Sequence, residues 1–166
     1  MNIFILHNNI EENVKMYCDQ HVRKMIIETA QLLSFVHHKF PSDDIDINQI
    51  YKNSKSHSNH PCTIWTQSSI NNYKYLSLLG KYLGIEYTYR FGKIHATEKV
   101  IEYLSNNIPN LPNIPMTTFA LTMPEIYQDK SDVVGSYRTF YINEKQIFKR
   151  GPATWTKRKK PKFLIN

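Results

Sequence analysis

The 166 residues are 41% hydrophobic and 13% aromatic, and they carry a formal net charge of +7. That length and hydrophobic share exclude an intrinsically disordered chain and are typical of one domain with a sizeable core. Two cysteines, Cys18 and Cys62, cannot form a disulfide framework. Because the sequence also has neither a basic leader nor an apolar run of membrane length, we expect a soluble, intracellular protein.

The chain begins with an apolar run from Met1 to Leu6. This run predicts either a strand or an arm that lies across helices. Asn8 and Asn9 then predict the cap of a short helix that begins near Ile10, with acidic residues in its first turn.

The main core helix is predicted from Asp19 to His38, with Asp19 as its N-cap. The sequence Phe40-Pro41 ends it, because proline disfavours helical geometry in the residue before it. Apolar side chains cover most of the helix, and one narrow polar stripe remains, formed by His21, Lys24, Glu28 and Gln31. The stripe either faces water or brings an imidazole, an ammonium and a carboxylate together for a function.

The next segment, from Pro41 to Cys62, is polar and offers little to a core. A loop of this length in a small domain is usually functional or mobile. Within it His57, His60 and Cys62 have the spacing of metal ligands, but no second pair of ligands accompanies them. We therefore interpret them as incidental loop residues and expect neither a metal centre nor another cofactor.

Three further helices are predicted. They are a long helix from Thr63 to Phe91, capped by Ser68 or Ser69; a short one from Glu98 to Leu104, capped by Thr97; and a last one from Asp132 to Phe148, capped by Ser131. No series of alternating strands is present. The expected fold class is all-α, a compact single-domain helical bundle with long loops over residues 1–150, with a basic aromatic tail, 151–166, packed on it or extending from it.

The positive charge is concentrated near the C-terminus. The segment from Lys145 to Lys162 holds eight of the 21 Lys and Arg residues and none of the 14 Asp and Glu residues, so the remainder has 13 basic and 14 acidic residues. A basic tail on a nearly neutral body favours a polyanionic partner, nucleic acid before an anionic membrane surface. A tail that only increases solubility is the alternative.

Two groups of residues are candidates for binding nucleic acid. The first is in the basic segment from Lys145 to Lys162 and consists of Arg150, Trp155, Lys157, Arg158, Lys159 and Lys160. There Trp155 either stacks on a base or anchors the tail to the body. The second lies at the end of the second long helix and consists of Arg90, Lys93 and His95. In that group the alternative is an ordinary ion pair of Arg90 with Glu86, four residues earlier.

These residues carry a resemblance to a known family. The sequence DQH, followed by a glutamate nine residues after the aspartate, resembles the first helix of the phage-type pyrimidine-dimer DNA glycosylases (endonuclease V of the phage kind). The pattern D-x-x-x-x-K-x-x-x-E-x-x-Q-L-L is similar to that of uncharacterised bacterial relatives, which also have an N-H-P segment before a tryptophan. The family's basic, tryptophan-containing end is matched by Arg150 to Trp155.

The resemblance implies a compact helical enzyme that bends double-stranded DNA, displaces a base and cuts the glycosidic bond with an N-terminal amine. Glu28 matches the glutamate that stabilises the sugar cation. Asn2 is bulkier than the small residue that the family exposes after removal of methionine, and Ile27 and Gln31 stand where the family has arginines. The nucleophile is therefore the amine of Met1 or that of Lys24, or the fold serves another use.

Three functions follow as hypotheses. The first is a monomeric DNA N-glycosylase, with or without abasic-site lyase activity, that acts on damaged or modified bases without a cofactor. The second is a nucleic-acid-binding protein that uses the tail without catalysis. The third is a base-modifying or nucleotide-modifying enzyme on the same scaffold, with Glu28, His21 and His95 as acid–base groups.

Overall fold

The computed structural model describes residues 1–53 and 58–165. Within those ranges the α-helices are α1 (Ile10–Met16), α2 (Asp19–Lys39), α3 (Pro61–Gln67), α4 (Ile70–Phe91), α5 (Glu98–Asn106) and α6 (Val133–Glu144). In the same described ranges one antiparallel hairpin, β1 (Ile147–Phe148) with β2 (Gly151–Pro152), follows α6. The predicted all-α class is confirmed.

Helix α2 is the centre of the bundle. It packs against α3, α4 and α5, and α4 in turn packs against α1, α3 and α5. Val22, Ile26 and Leu33 of α2 are fully buried. The predicted main helix is therefore confirmed to within one residue at its end. The prediction of Asp19 as its N-cap is wrong, because Cys18 occupies the N-cap position and Asp19 is the first helical residue.

The N-terminal residues form an extended arm rather than a strand. Ile3, Phe4, Ile5 and Leu6 are all buried in the core. The side chain of Asn13 on α1 satisfies the arm's main chain, since its Oδ1 accepts from the N–H of Leu6 at 2.6 Å and its Nδ2 donates to the carbonyl of Phe4 at 3.0 Å. The arm is thus fixed at the centre of the molecule, which sets the position of Met1.

Two predicted helices differ from the observed ones. The helix predicted from Thr63 is two helices, because Ser69 caps α4 by accepting from the N–H of Asn71 and the chain bends at Ser68. The last helix stops at Glu144 rather than Phe148, since the hairpin takes the next residues.

The described part of the tail packs on the helical body. The indole N–H of Trp155 donates to the carbonyl of Met16 at 2.9 Å. The hydroxyls of Thr154 and Thr156 both donate to the carboxylate of Asp19, at 2.7 and 2.8 Å. These contacts attach the tail at the beginning of α2. Among the described residues no helix is both long and apolar enough to cross a bilayer.

Candidate functional site

The amino terminus and Glu28 meet at one site. The amine nitrogen of Met1 lies 3.8 Å from Oε2 of Glu28, and the N–H of Asn2 donates to the same oxygen at 3.1 Å. The other oxygen of Glu28 lies 3.2 Å from Nζ of Lys24, one helical turn earlier. One buried carboxylate is therefore placed between two amines, from Met1 and Lys24.

The burial of these groups differs. The side chain of Glu28 is 9% exposed and that of Met1 is 5% exposed, whereas that of Lys24 is 68% exposed. Met1 as a whole is half-buried, so its accessible atoms belong mainly to the main chain, which includes the amine. A fixed carboxylate beside a reachable amine is the arrangement that imine chemistry at a carbonyl or sugar carbon requires.

Asn2 and Thr122 hold the amino terminus in place. The side-chain amide of Asn2 donates to the carbonyl of Thr122 at 3.0 Å, and the hydroxyl of Thr122 donates back to Oδ1 of Asn2 at 2.6 Å. The hydroxyl of Tyr137 fixes the same segment by donating to the carbonyl of Ala120 at 2.6 Å. The sequence contains no spacing signal for the Asn2–Thr122 pair, because 120 residues separate its members.

Cys62 also lies close to this site, with its Sγ 3.6 Å from Oγ1 of Thr122. Burial raises the pKa of its thiol. A thiol that stays protonated is a poor nucleophile, so the candidate reacting groups of the site are the two amines and Glu28.

His21 is also on the polar stripe of α2, and it is buried among aromatic side chains. Its Nδ1 lies 2.5 Å from the hydroxyl of Tyr141, and its ring stacks on Phe4 with centroids 4.4 Å apart. Burial, followed by the charges of Lys145 and Lys24, lowers its pKa to about 3. The imidazole is therefore neutral at pH 7, and the catalytic role of His21 stays a prediction.

Arg90 is not available to a nucleic acid. Its guanidinium is fully buried and donates to Glu86 at 2.7 Å, to Asp19 at 3.0 Å and to the carbonyls of Tyr17 and Lys15. The prediction of a phosphate contact is therefore wrong. The alternative, an ion pair with Glu86, is confirmed.

The remaining predicted binding residues are placed in different ways. Arg158 donates to both oxygens of Glu86, at 2.9 and 2.8 Å, so its guanidinium forms an ion pair within the molecule. Trp155 anchors the tail. His95 is half-buried and its Nδ1 accepts from the N–H of Thr97 at 3.1 Å, while Lys93 is exposed. Burial lowers the pKa of His95, so it carries little positive charge for a phosphate.

Several cations of the basic segment from Lys145 to Lys162 do reach solvent. The exposed ones are Lys149, Arg150, Lys157, Lys159, Lys160 and Lys162. Their attachment point at Asp19 is nine residues before Glu28, which is about 13 Å along the axis of α2. Nine residues are about two and a half helical turns, so Asp19 and Glu28 lie on opposite sides of α2.

His57, His60 and Cys62 were interpreted as incidental loop residues rather than metal ligands. His57 lies outside the described residues, so this interpretation is not tested for it. In residues 1–53 and 58–165 no group of three His, Cys, Asp or Glu side chains is arranged to hold a metal ion. His60 instead caps α3 by accepting from the N–H of Cys62.

Comparisons with protein-family models, with curated proteins and with solved structures find no match to this chain.

Proposed function

We propose that this protein is a DNA base-excision enzyme, a DNA N-glycosylase with associated abasic-site lyase activity, which acts on damaged or modified bases in double-stranded DNA. The observation that carries the proposal is the 3.8 Å approach of the Met1 amine to the buried carboxylate of Glu28. These are the two groups that the chemistry needs, and they come from sequence positions 27 residues apart.

In the proposed reaction the unprotonated amine of Met1 attacks C1′ of the deoxyribose. Its lone pair forms the N–C1′ bond while the glycosidic bond breaks, and the departing base takes the electron pair and a proton. The ring oxygen then leaves C1′ with its electron pair and is protonated, and the amine loses a proton, which gives a protonated imine. Glu28 stabilises the cationic sugar and carries the proton from nitrogen to the ring oxygen.

The charge distribution supports DNA as the substrate. Displacing a base costs a few kcal/mol, which must be offset by contacts elsewhere. The exposed tail cations, Lys159 and Lys160 among them, can supply such contacts with phosphates. Because the tail is attached at the first turn of α2, these contacts and the reacting carbon would be held by one rigid helix.

Borohydride reduction tests this proposal. Incubation with duplexes that contain single lesions or an abasic site, in the presence of borohydride, is expected to give a covalent protein–DNA adduct. Glu28→Gln should lower the rate of adduct formation about 100-fold or more, because a positioned acid–base group contributes roughly that factor. Glu102→Gln is the matched control, since Glu102 is an exposed carboxylate paired with Lys81 on the surface.

Peptide mapping of the reduced adduct then identifies the nitrogen. We expect the sugar on the amine of Met1, and Lys24→Gln should still form the adduct. A modified Lys24 would transfer the nucleophilic role to that residue. If no lesion gives an adduct or a released base, the glycosylase proposal is wrong.

A non-catalytic DNA-binding protein is the second candidate, because the exposed tail cations do not depend on the amine. It predicts salt-sensitive binding with chemically unchanged DNA. Mass spectrometry of the DNA after incubation separates it from the glycosylase and from an enzyme that modifies bases.

A further inference from the structure

The unused nitrogen of His21 is the feature that the proposed chemistry leaves unexplained. The ring is held on three sides, by Phe4 in a stack, by Tyr141 at 5.1 Å and by Phe148 at 5.4 Å between centroids. His21 is only 6% exposed. Its Nε2 makes no hydrogen bond to the described residues and is not one of their buried, unpartnered polar atoms, so this nitrogen keeps some contact with solvent.

The hydrogen bonds of Tyr141 indicate which nitrogen carries the proton. Its hydroxyl accepts from the N–H of Cys18 at 3.1 Å, and its own proton has two possible acceptors. They are Nδ1 of His21 at 2.5 Å and Sγ of Cys18 at 3.6 Å. The hydroxyl therefore donates to Nδ1 of His21, because that contact is shorter and an imidazole nitrogen is a stronger acceptor than a thiol sulfur. In the neutral ring the proton then sits on Nε2, which becomes an outward donor.

The groups beside this donor are positively charged. Lys24 is one turn farther along α2, and Lys145 follows α6 with its Nζ 4.5 Å above the ring of Phe140. Both charges act on the imidazole. The outward N–H of His21 and the two ammonium groups, of which that of Lys24 also pairs with Glu28, suit a ligand that accepts hydrogen bonds and carries negative charge, such as a phosphate oxygen.

We infer that His21 is a positioning residue, which donates an uncharged N–H from Nε2 to a non-bridging oxygen of one DNA phosphodiester between Lys24 and Lys145. The inference rests on the proposed function only in taking DNA as the ligand. His21 is two turns from Glu28, about 10 Å along the helix. The bound phosphate would therefore belong to a nucleotide close to the reacting sugar and would fix its distance from the amine of Met1.

A pair of variants isolates the outer nitrogen. His21→Asn places an amide at the position of Nδ1, so it keeps the contact to Tyr141 and removes the outward donor. His21→Gln places its amide nitrogen near the position of Nε2 and restores that donor. Thermal unfolding of both variants shows whether either has lost its fold.

The measurement is binding to a short duplex that contains a tetrahydrofuran analogue of an abasic nucleotide. Each phosphate near the analogue is replaced in turn by an uncharged methylphosphonate. For the wild type, one position should weaken binding about tenfold more than its neighbours, as loss of a charge-assisted hydrogen bond does. In His21→Asn that excess should disappear, and in His21→Gln it should return in part.

Nitrogen NMR of the wild type, labelled in histidine, gives a second readout that does not depend on the variants. We expect His21 as the Nε2–H tautomer, with a shift of that nitrogen when the duplex is added. Equal position dependence in the wild type and in His21→Asn, a protonated Nδ1, or no binding to the duplex would each overturn the inference. Borohydride trapping does not depend on these outcomes, so a failure here is distinguishable from a failure of the glycosylase proposal.

Discussion

Arg90 shows how much of this structure depends on one buried side chain. Its guanidinium joins the carboxylates of Asp19 on α2 and Glu86 on α4, and it also satisfies two main-chain carbonyls at the junction of α1 and α2. Glu86 in turn holds Arg158 of the tail. Three helices and the tail therefore share one network of charges, most of it inaccessible to water.

Removing the cation from this network should be costly. We expect Arg90→Ala to lower the free energy of unfolding by about 3–5 kcal/mol, because two buried carboxylates would lose their positive partner. Lys81→Ala, which breaks the exposed pair with Glu102, should cost no more than about 1 kcal/mol. Urea unfolding measures both values. Similar losses in the two variants would show that the buried network contributes little to stability.

The sequence predicted only the local half of this network. Glu86 and Arg90 are four residues apart on one helix, so their ion pair followed from spacing. The contacts of Arg90 with Asp19 and of Glu86 with Arg158 join residues 71 and 72 positions apart. No periodic pattern relates such positions. This is also why the supporting role of Thr122 at the candidate site was missed, whereas Glu28 and Lys24 were found from helical spacing.

At the level of elements, α4 approaches its neighbours closely at two glycines. A Cβ built on Gly80 would lie 2.9 Å from Cδ1 of Ile101 and 3.0 Å from Cγ2 of Thr29. One built on Gly84 would lie 2.7 Å from Cγ of Glu98. The first set of neighbours is packed in the core between α2 and α5, whereas the second belongs to a longer, half-buried side chain.

Alanine at these two positions should therefore have different effects. Gly80→Ala should destabilise the protein by about 1–2 kcal/mol, because overpacking exceeds the gain in helix propensity. Gly84→Ala should cost less, since the side chain of Glu98 can rotate away. Thermal unfolding under identical conditions compares them. A larger loss for Gly84→Ala would show that the hydrogen bonds of Glu98 to the N–H of His95 and the hydroxyl of Thr88 matter more than the core contact.

The elements themselves were predictable where hydrophobic periodicity and end signals agree. Helix α2 and the end of α4 at Gly92, which has a φ of 67°, are examples. Ser69, one of the two predicted caps, does cap α4, but the residues before it were not recognised as the separate helix α3. The last helix was predicted too long because the pairing of Ile147 with Pro152 depends on a turn, and such a short hairpin has no alternating pattern to reveal it.

For the molecule as a whole, the buried groups His21, His37, Asp19 and Glu86 favour neutral over acidic conditions. Burial lowers the pKa of His21 to about 3 and that of His37 to about 4. Burial by itself would raise the pKa values of Asp19 and Glu86. For Asp19, hydrogen bonds from Thr154, Thr156 and Arg90 lower the pKa, and for Glu86 hydrogen bonds from Arg158 and Arg90 do so.

The signs of these shifts predict acid lability. Below pH 6.5 the unfolded histidines bind protons that the folded ones do not, so the free energy of unfolding falls as the pH drops from 6.5 toward 4. The lowered carboxyl pKa values add a further loss at lower pH. At pH 5 each of the two histidines has lowered the free energy of unfolding by up to about 2 kcal/mol relative to neutral pH.

Denaturant unfolding between pH 5 and 8 measures this dependence. His37→Gln keeps an amide near the hydroxyl of Tyr73, which now contacts Nε2 at 2.8 Å, but it cannot titrate. Its stability should therefore change less than that of the wild type between pH 7 and pH 5, and both curves should run parallel above pH 7. An identical acid slope in the two proteins would contradict the assignment of His37.

The asymmetry of charge leads to the last prediction, which concerns DNA binding. Of the tail cations, Lys159 and Lys160 are exposed and make no ion pair within the described residues, although Nζ of Lys160 lies 5.9 Å above the ring of Trp155. Arg158, between Lys157 and Lys159, is committed to Glu86. Neighbouring residues of the same charge should therefore differ in their contribution to binding.

In B-DNA each phosphate that a protein neutralises contributes about 0.9 to the slope of log Kobs against log salt concentration. The double variant Lys159→Gln, Lys160→Gln should lower that slope by about 2 while leaving stability unchanged. Arg158→Gln should lower the slope much less, but it should destabilise the docked tail, because Glu86 loses both hydrogen bonds from that residue. Fluorescence anisotropy with one duplex over a series of salt concentrations gives the slopes, and Lys99→Gln on α5 serves as an exposed control. Equal slopes for the double variant, for Lys99→Gln and for the wild type would mean that the tail serves solubility and that DNA, if bound, lies on another face.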